Sequence, residues 1–276
     1  MAVVLSETTD PVVVPIVADF PPADHRWFAL LAAAFRNGLF RAGMQIFTMY
    51  ELGLSFGGKH SLLALVRQEY GEQLIAAVDL TLRSPAANQG LVNGALNLAG
   101  YVGNAGLGLA IQVCWSNDEH RHSRLKSYLF AAARCCGDAP EPILGPVCDA
   151  WENLPEESDS SLGQPIDRLA ADGVSWELRD YPPLDALAYL VSRARRGERL
   201  AWPITYMLRS VDHPDAVEQI ARFAAARGVW GGQALNSDWE RFDREGGRRM
   251  SAQSKGRLWD LARDEGQDEA LRKAAF

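Results

Sequence analysis

The sequence predicts an all-α fold, an α-solenoid of stacked antiparallel helical hairpins with degenerate repeats. Three observations predict it. Strand signals are nearly absent: the one β-branched run, Val12–Val14, follows Asp10-Pro11, which reads as a helix cap and first turn. Alanine occurs 39 times in 276 residues, and alanine is the best helix former. Apolar residues recur at helical spacing in segments of roughly 10 to 19 residues, divided by short Gly, Pro, Asp and Asn punctuation.

The helices follow in order. Asp24 caps a segment running to about Asn37, with Trp27, Leu30, Leu31 and Ala34 at helical spacing. A second, 42–52, carries Met44, Phe47 and Leu52. The next pair, 59–68 and 72–82, stops at Ser84-Pro85, because a residue before proline is pushed out of the helical region. Segments 86–102 and 107–115 come next. Asp118 begins a long helix to Cys136, and 140–154 is its partner, with Pro140 in the first turn and Pro142 and Pro146 expected to distort it. Further helices are expected at 184–196, 199–210, 213–227, 237–245, 251–264 and 267–276, with Trp202-Pro203 bending the second of these. Residues 155–165, PEESDSSLGQP, are polar and acidic with a proline at each end, and read as a linker or long inter-repeat loop. They divide N-terminal helical repeats, 1–154, from C-terminal ones, 166–276, although one continuous solenoid is also compatible.

Internal similarity supports repeats. LAAAFRNG (31–38), FAAARCCG (130–137), YLVSRARRG (189–197) and FAAARG (223–228) each end a small-residue helix at a glycine, which suits a left-handed C-terminal cap. Aligning Gly103 on Gly137, 34 residues apart, pairs Leu96 with Phe130, Asn104 with Asp138, Val113 with Val147 and Cys114 with Cys148. Other spacings are 65 and 60, so the repeat is degenerate. A period of about 30 to 45 residues with two helices per unit marks an α-solenoid, and a chain of this length would hold about six to seven such hairpins.

The hairpins at 124–154 and 207–228 and the closing stretch 248–276 resemble HEAT-type repeats. In particular they are similar to the repeats in the C-terminal sensor regions of large bacterial NACHT/STAND-type NTPases. The resemblance implies a curved superhelix that binds a protein or nucleic-acid partner and carries no catalytic residues in this segment. It does not bring the NTPase part. GLSFGGKH (53–60) places Gly53, Gly58 and Lys59 in phosphate-loop register, but His60 stands where Ser or Thr would hold Mg²⁺ and no strand precedes it. It reads as a Gly-rich inter-hairpin loop.

Other constellations are weaker. NDEHRHS (117–123) puts His120 and His122 two residues apart, whereas ligands sharing a helix face need three or four. It reads as a helix start, so no metal and no cofactor are expected. Cys114, Cys135, Cys136 and Cys148 form no CxxC and read as buried thiols. The run Arg193, Arg195, Arg196, Arg199 reads as a solvated helix end or as a spot for an acidic partner. Of eight tryptophans, Trp115, Trp151, Trp202 and Trp259 sit at helical positions and read as core seams. Trp202, Tyr206 and Arg209 share one helix face. Aromatics and Arg are enriched at binding hot spots, so these three are the candidate contact patch, with core packing of Trp202 as the alternative.

The net charge of −7 disfavours a nucleic-acid grip, which needs clustered cations. Charge is uneven, with an acidic stretch at 141–160 and a slightly basic 241–273. No Lys or Arg precedes Arg26, and no window of 18 apolar residues occurs, so neither a secretory signal nor a membrane span is read and a cytoplasmic location is expected. The expected function is a non-catalytic scaffold or sensor that binds a protein partner on a concave surface, as a regulatory arm of an NTPase defence or signalling system. The alternative is a helical-repeat enzyme such as a HEAT-like lyase, which would need a deep pocket with a polar acid–base pair; a buried cluster of two or more ionisable groups in one cleft would count against the scaffold. Leu271, Ala274, Ala275 and Phe276 lack a polar cap after them, which predicts either packing of that end against another chain or that the chain is a segment of a longer architecture.

Overall fold

The computed structural model describes residues 89–154, 181–228 and 250–276, with a few residues each in 72–85, 158–165 and 171–179. The expected segments at 24–37, 42–52, 59–68 and 237–245, the loop at 53–60 and the cap at Gly38 lie outside the described residues. The described chain is helical. Its α-helices are α1 Gln89–Val102, α2 Gly108–Asn117, α3 Leu125–Cys135, α4 Pro140–Glu152, α5 Leu187–Arg196, α6 Glu198–Met207, α7 Pro214–Arg227, α8 Ala252–Arg263 and α9 Glu269–Ala275. Within the expected linker, Ser158–Asp159 (β1) and Gln164–Pro165 (β2) pair antiparallel, Ser158 opposite Pro165. Contacts divide the chain into Met1–Ala131 and Ala132–Phe276, a division that falls inside α3. Among the described residues no helix is long and apolar enough to cross a membrane.

Glycine ends the helices as the sequence pattern requires, with one exception. Gly103, Gly137 and Gly228 have φ of 62°, 53° and 65°, a left-handed geometry that a side chain disfavours. Gly197 instead has φ −127° and ψ 125°. It ends α5 and caps α6 at once, so the chain must extend there and has no room for a left-handed turn. Burial agrees across the 34-residue register at two of its four pairs, while Val113 is half-buried against buried Val147 and Asn104 half-buried against exposed Asp138. Leu96 and Phe130 are both buried, as are Cys114 and Cys148.

The long helix expected from Asp118 starts seven residues later. Asp118 is extended, and its N–H donates to the Cys114 carbonyl to close α2. A single 3₁₀ turn, Arg121–Arg124, follows before α3. The carboxylate of Asp118 is used inward, as described below, instead of as a cap. Helix α4 runs unbroken through its prolines. Pro140 and Pro142 fall in the first turn, where the missing N–H costs nothing, so only Pro146 removes a helical bond. Pro203 is likewise carried inside α6.

In the first unit, Tyr101 and Phe130 meet edge to face at 5.0 Å, and Trp115 and Tyr128 do so at 4.8 Å. Gly100 permits the first contact: a Cβ there would lie 2.3 Å from the Phe130 ring. The Asn93 carboxamide accepts from the Ser127 hydroxyl at 2.7 Å, fixing α1 against α3. In the second unit, Trp151, Leu144 and Cys148 of α4 are fully buried, and α7 packs on α5, α6, α8 and α9. Ala221 of α7, Leu261 of α8 and Leu271 and Ala275 of α9 close one apolar cluster. Most of the apolar end of the chain is thus covered by its own helices. Phe276 is 85% exposed and rests edge to face on Trp259. Trp259, expected in a seam, is itself 50% exposed, with the Arg263 guanidinium 5.1 Å from its ring. Trp115 and Trp151 are buried as expected, and all four cysteines are buried.

Candidate functional site

Among the described residues, three side-chain clusters bring together the aromatic or buried ionisable groups from which a site could be built. The first contains the predicted patch. Helix α6 places Trp202 and Tyr206 four residues apart, one above the other, and their rings stack at 4.6 Å and 23°. The Arg209 guanidinium lies 3.7 Å from the Tyr206 ring. The structure therefore brings all three residues together. Their exposure differs, however. Trp202 and Tyr206 are half-buried, whereas Arg209 is 5% exposed. Arg209 holds the ladder from beneath by a cation–π contact instead of offering a surface contact. The ladder leans on Ile220 and Phe223 of α7. Exposed Arg227, 5.1 Å from the Phe223 ring, adds a cation to the same seam. Phe223 and Arg227 were missed because the FAAAR pattern reads only as a repeat end. Their four-residue spacing was the available signal.

The second cluster surrounds Asp118. Its Oδ1 accepts from the His120 amide at 2.8 Å. Its Oδ2 accepts from the Tyr128 hydroxyl at 2.9 Å and from Arg124 Nη1. Cys114 Sγ lies 3.2 Å from the Tyr128 oxygen. A phenol has one proton, so with that proton on Asp118 the thiol is the donor: S–H to phenol oxygen, phenol O–H to carboxylate. The Asp118 and Arg124 side chains are only 8% and 9% exposed. They line a cleft of about 200 Å³ together with Leu82, Pro85, Cys114 and His120.

Electrostatics fixes the charge states in this cleft. Burial pushes the Asp118 carboxyl up, but the bonds from Arg124, the His120 amide and Tyr128 outweigh it, so its pKa lies below the ordinary value. Burial, with Cys114 and Asp118 adding to it, raises the Tyr128 phenol. Burial also raises the Cys114 thiol, against the opposing bond from Tyr128. The carboxylate stays charged and the phenol and thiol stay neutral across the physiological range. None of the three is moved toward neutrality, where an acid–base catalyst works best.

The third cluster centres on Glu218 of α7. Its Oε1 accepts from Arg222 Nε at 2.7 Å and Arg195 Nη2 at 3.4 Å. Its Oε2 accepts from Arg257 Nε and Nη2 at 2.7 and 2.5 Å. Burial raises the Glu218 carboxyl, and the bonds from Arg222 and Arg257 overcome it, so its pKa too is lowered. Arg195 Nε also donates to Gln219 at 3.1 Å, and Gln219 donates to Thr205.

The remaining arginines of the basic run are partnered. Arg193 bonds Asp149 and Glu152, Arg196 bonds the Ser192 hydroxyl, and Arg199 bonds the Leu154 carbonyl. His120 and His122 do not converge with other metal-ligating groups. Among the described residues no group of three or more His, Cys, Asp or Glu is placed to hold a metal. No family model matches the chain, and neither a curated protein nor a solved structure matches it.

Proposed function

We propose that this chain is a non-catalytic helical-repeat scaffold or sensor, an α-solenoid of HEAT-like hairpins that binds a protein partner through the aromatic ladder on α6. The observation that carries the proposal is the stack itself. Trp202 and Tyr206 are pre-ordered by Arg209 beneath and by Phe223 beside them, yet each keeps part of its ring in water. Ordered, half-exposed aromatics lose little entropy on binding, which makes them good anchors. The left-handed Gly103 and Gly137 and the buried pairs Leu96 with Phe130 and Cys114 with Cys148 support the repeat reading. The similarity of 124–154, 207–228 and 248–276 to NTPase sensor repeats extends the proposal to a cytoplasmic regulatory arm of such a system.

The Asp118 cleft favours a second reading, a helical-repeat enzyme, because two ionisable side chains are buried there in one cleft. Its groups are paired with one another and held away from neutrality, so the scaffold reading is preferred. Quantitative affinity capture from native lysate with wild-type chain and with Tyr206→Ala separates the two. A stoichiometric protein partner retained by wild type and lost by a folded Y206A is expected. Equal recovery by Y206A would remove the ladder from the interface. Absence of a partner, with saturable small-molecule binding abolished by Asp118→Asn, would favour the enzyme.

A further inference from the structure

The Glu218 cluster holds more cation than its carboxylate needs. Arg257 alone covers Oε2 with two bonds. Arg195 and Arg222, from α5 and α7, crowd the other oxygen. Among the described residues, three guanidiniums share one carboxylate, an excess of two positive charges at that spot in a chain whose net charge is −7. The side chains of Arg195, Arg222 and Arg257 are 44%, 37% and 41% exposed, while that of Glu218 is 8% exposed. The excess charge therefore faces water while its neutralising group lies beneath. No described residue accepts from the Nη groups of Arg222 or from Nη1 of Arg195 or Arg257. Beyond Glu218, Arg257 also acts on Asp264, which is exposed and already accepts from Gln267 and the Gly266 amide.

Like charges placed side by side destabilise a fold unless an anion shares them. Glu218 supplies one charge and fixes the three planar forks toward it, so their outer N–H groups are presented with little freedom left to lose. The surplus matches a phosphate monoester, which carries about −1.5 to −2 at neutral pH and three strong acceptor oxygens. The geometry points to a phosphate-binding site formed by Arg195, Arg222 and Arg257 over Glu218. It is separate from the aromatic ladder: Glu218 and Ile220 are two residues apart, about 200° around α7, so the two surfaces lie on opposite sides of that helix.

The test titrates the full chain with inorganic phosphate and with adenosine monophosphate by calorimetry, at ionic strength held constant with chloride. Saturable binding is expected in the wild type. Arg195→Gln and Arg222→Gln should each weaken it by about tenfold, the worth of one charge-assisted bond, with the fold checked by circular dichroism. Arg196→Gln, on the same helix but outside the cluster, should leave it unchanged. Arg195→Gln keeps the test decisive should Arg222→Gln fail to fold, because Glu218 retains two partners. Equal affinity for the two probes assigns the site to the phosphoryl group alone, and tighter nucleotide binding assigns it to a nucleotide. No saturable phosphate binding, or undiminished binding in Arg195→Gln, overturns the proposal.

Discussion

Asp118 and Glu218 are both buried carboxylates held ionised by arginine, yet they do opposite things with the arginine's charge. At Asp118 the cation is as buried as the anion, the ratio is one to one, and a phenol and an amide fill the remaining lone pairs. At Glu218 the anion is buried but three cations stay near the surface. The first arrangement is sealed: its parts satisfy one another. The second is open, and leaves charge available to a ligand. What a buried carboxylate contributes thus depends less on its own burial than on where its partners' charge ends up.

The comparison predicts unequal costs. Asp118→Asn leaves Arg124 buried without a counter-charge, and should destabilise the chain by about 3–5 kcal/mol in urea unfolding. It should also speed labelling of Cys114, whose phenol partner loses its acceptor. Cys148, whose thiol burial pushes up to about 12, should stay unreactive at neutral pH. A cost as small as a surface pair's would show that the Asp118 cleft is open.

Acid should reveal the same difference. Both carboxyls are depressed in the fold, so each stabilises it above the ordinary carboxyl pKa. That stabilisation is lost as pH falls through the folded pKa, in the window below the ordinary values of 3.8 and 4.5. Unfolding measured against pH should show wild-type stability falling there. Asp118→Asn, lacking that group, should show a flatter profile.

Glu218→Gln should cost less, about 1–2 kcal/mol. Half-exposed guanidiniums can turn to water once their anion is gone. A loss equal to that of Asp118→Asn would place the two clusters in one class.

How much of this was legible in the sequence follows from range. The helices, their proline and glycine boundaries and the buried cysteines are local matters, and periodicity and punctuation carry them. Gly197 and Asp118 mark where local reading stops. Gly197 is shared by two helices, and Asp118 prefers Arg124 and Tyr128 to a helix cap, and neither choice shows in a cap pattern. The Trp202–Tyr206–Arg209 ladder was legible because its members lie within eight residues: α6 carries the two aromatics, and Arg209 sits in the turn just past its end at Met207. The Glu218 cluster was not. Its arginines come from α5, α7 and α8, 23, 4 and 39 residues away, and only packing brings them together. The basic run at 193–199 was visible, but not that Arg195 alone among its four reaches Glu218.

The smallest expected effect separates stability from function most cleanly. Arg195 contacts Glu218 at the loosest distance of the three, 3.4 Å, from the most exposed position, 44%. Exposed pairs contribute little, and here Arg195 also faces the charges of Arg222 and Arg257. Arg195→Gln should therefore change unfolding free energy by no more than about 0.5 kcal/mol, of either sign, since lost attraction and relieved repulsion nearly cancel. The counterpart in the sealed cluster, Arg124→Gln, strands a buried carboxylate and should cost several times more. Should Arg195→Gln instead prove as costly as Arg124→Gln, its charge would be serving the fold, and the surplus that distinguishes the Glu218 cluster would vanish.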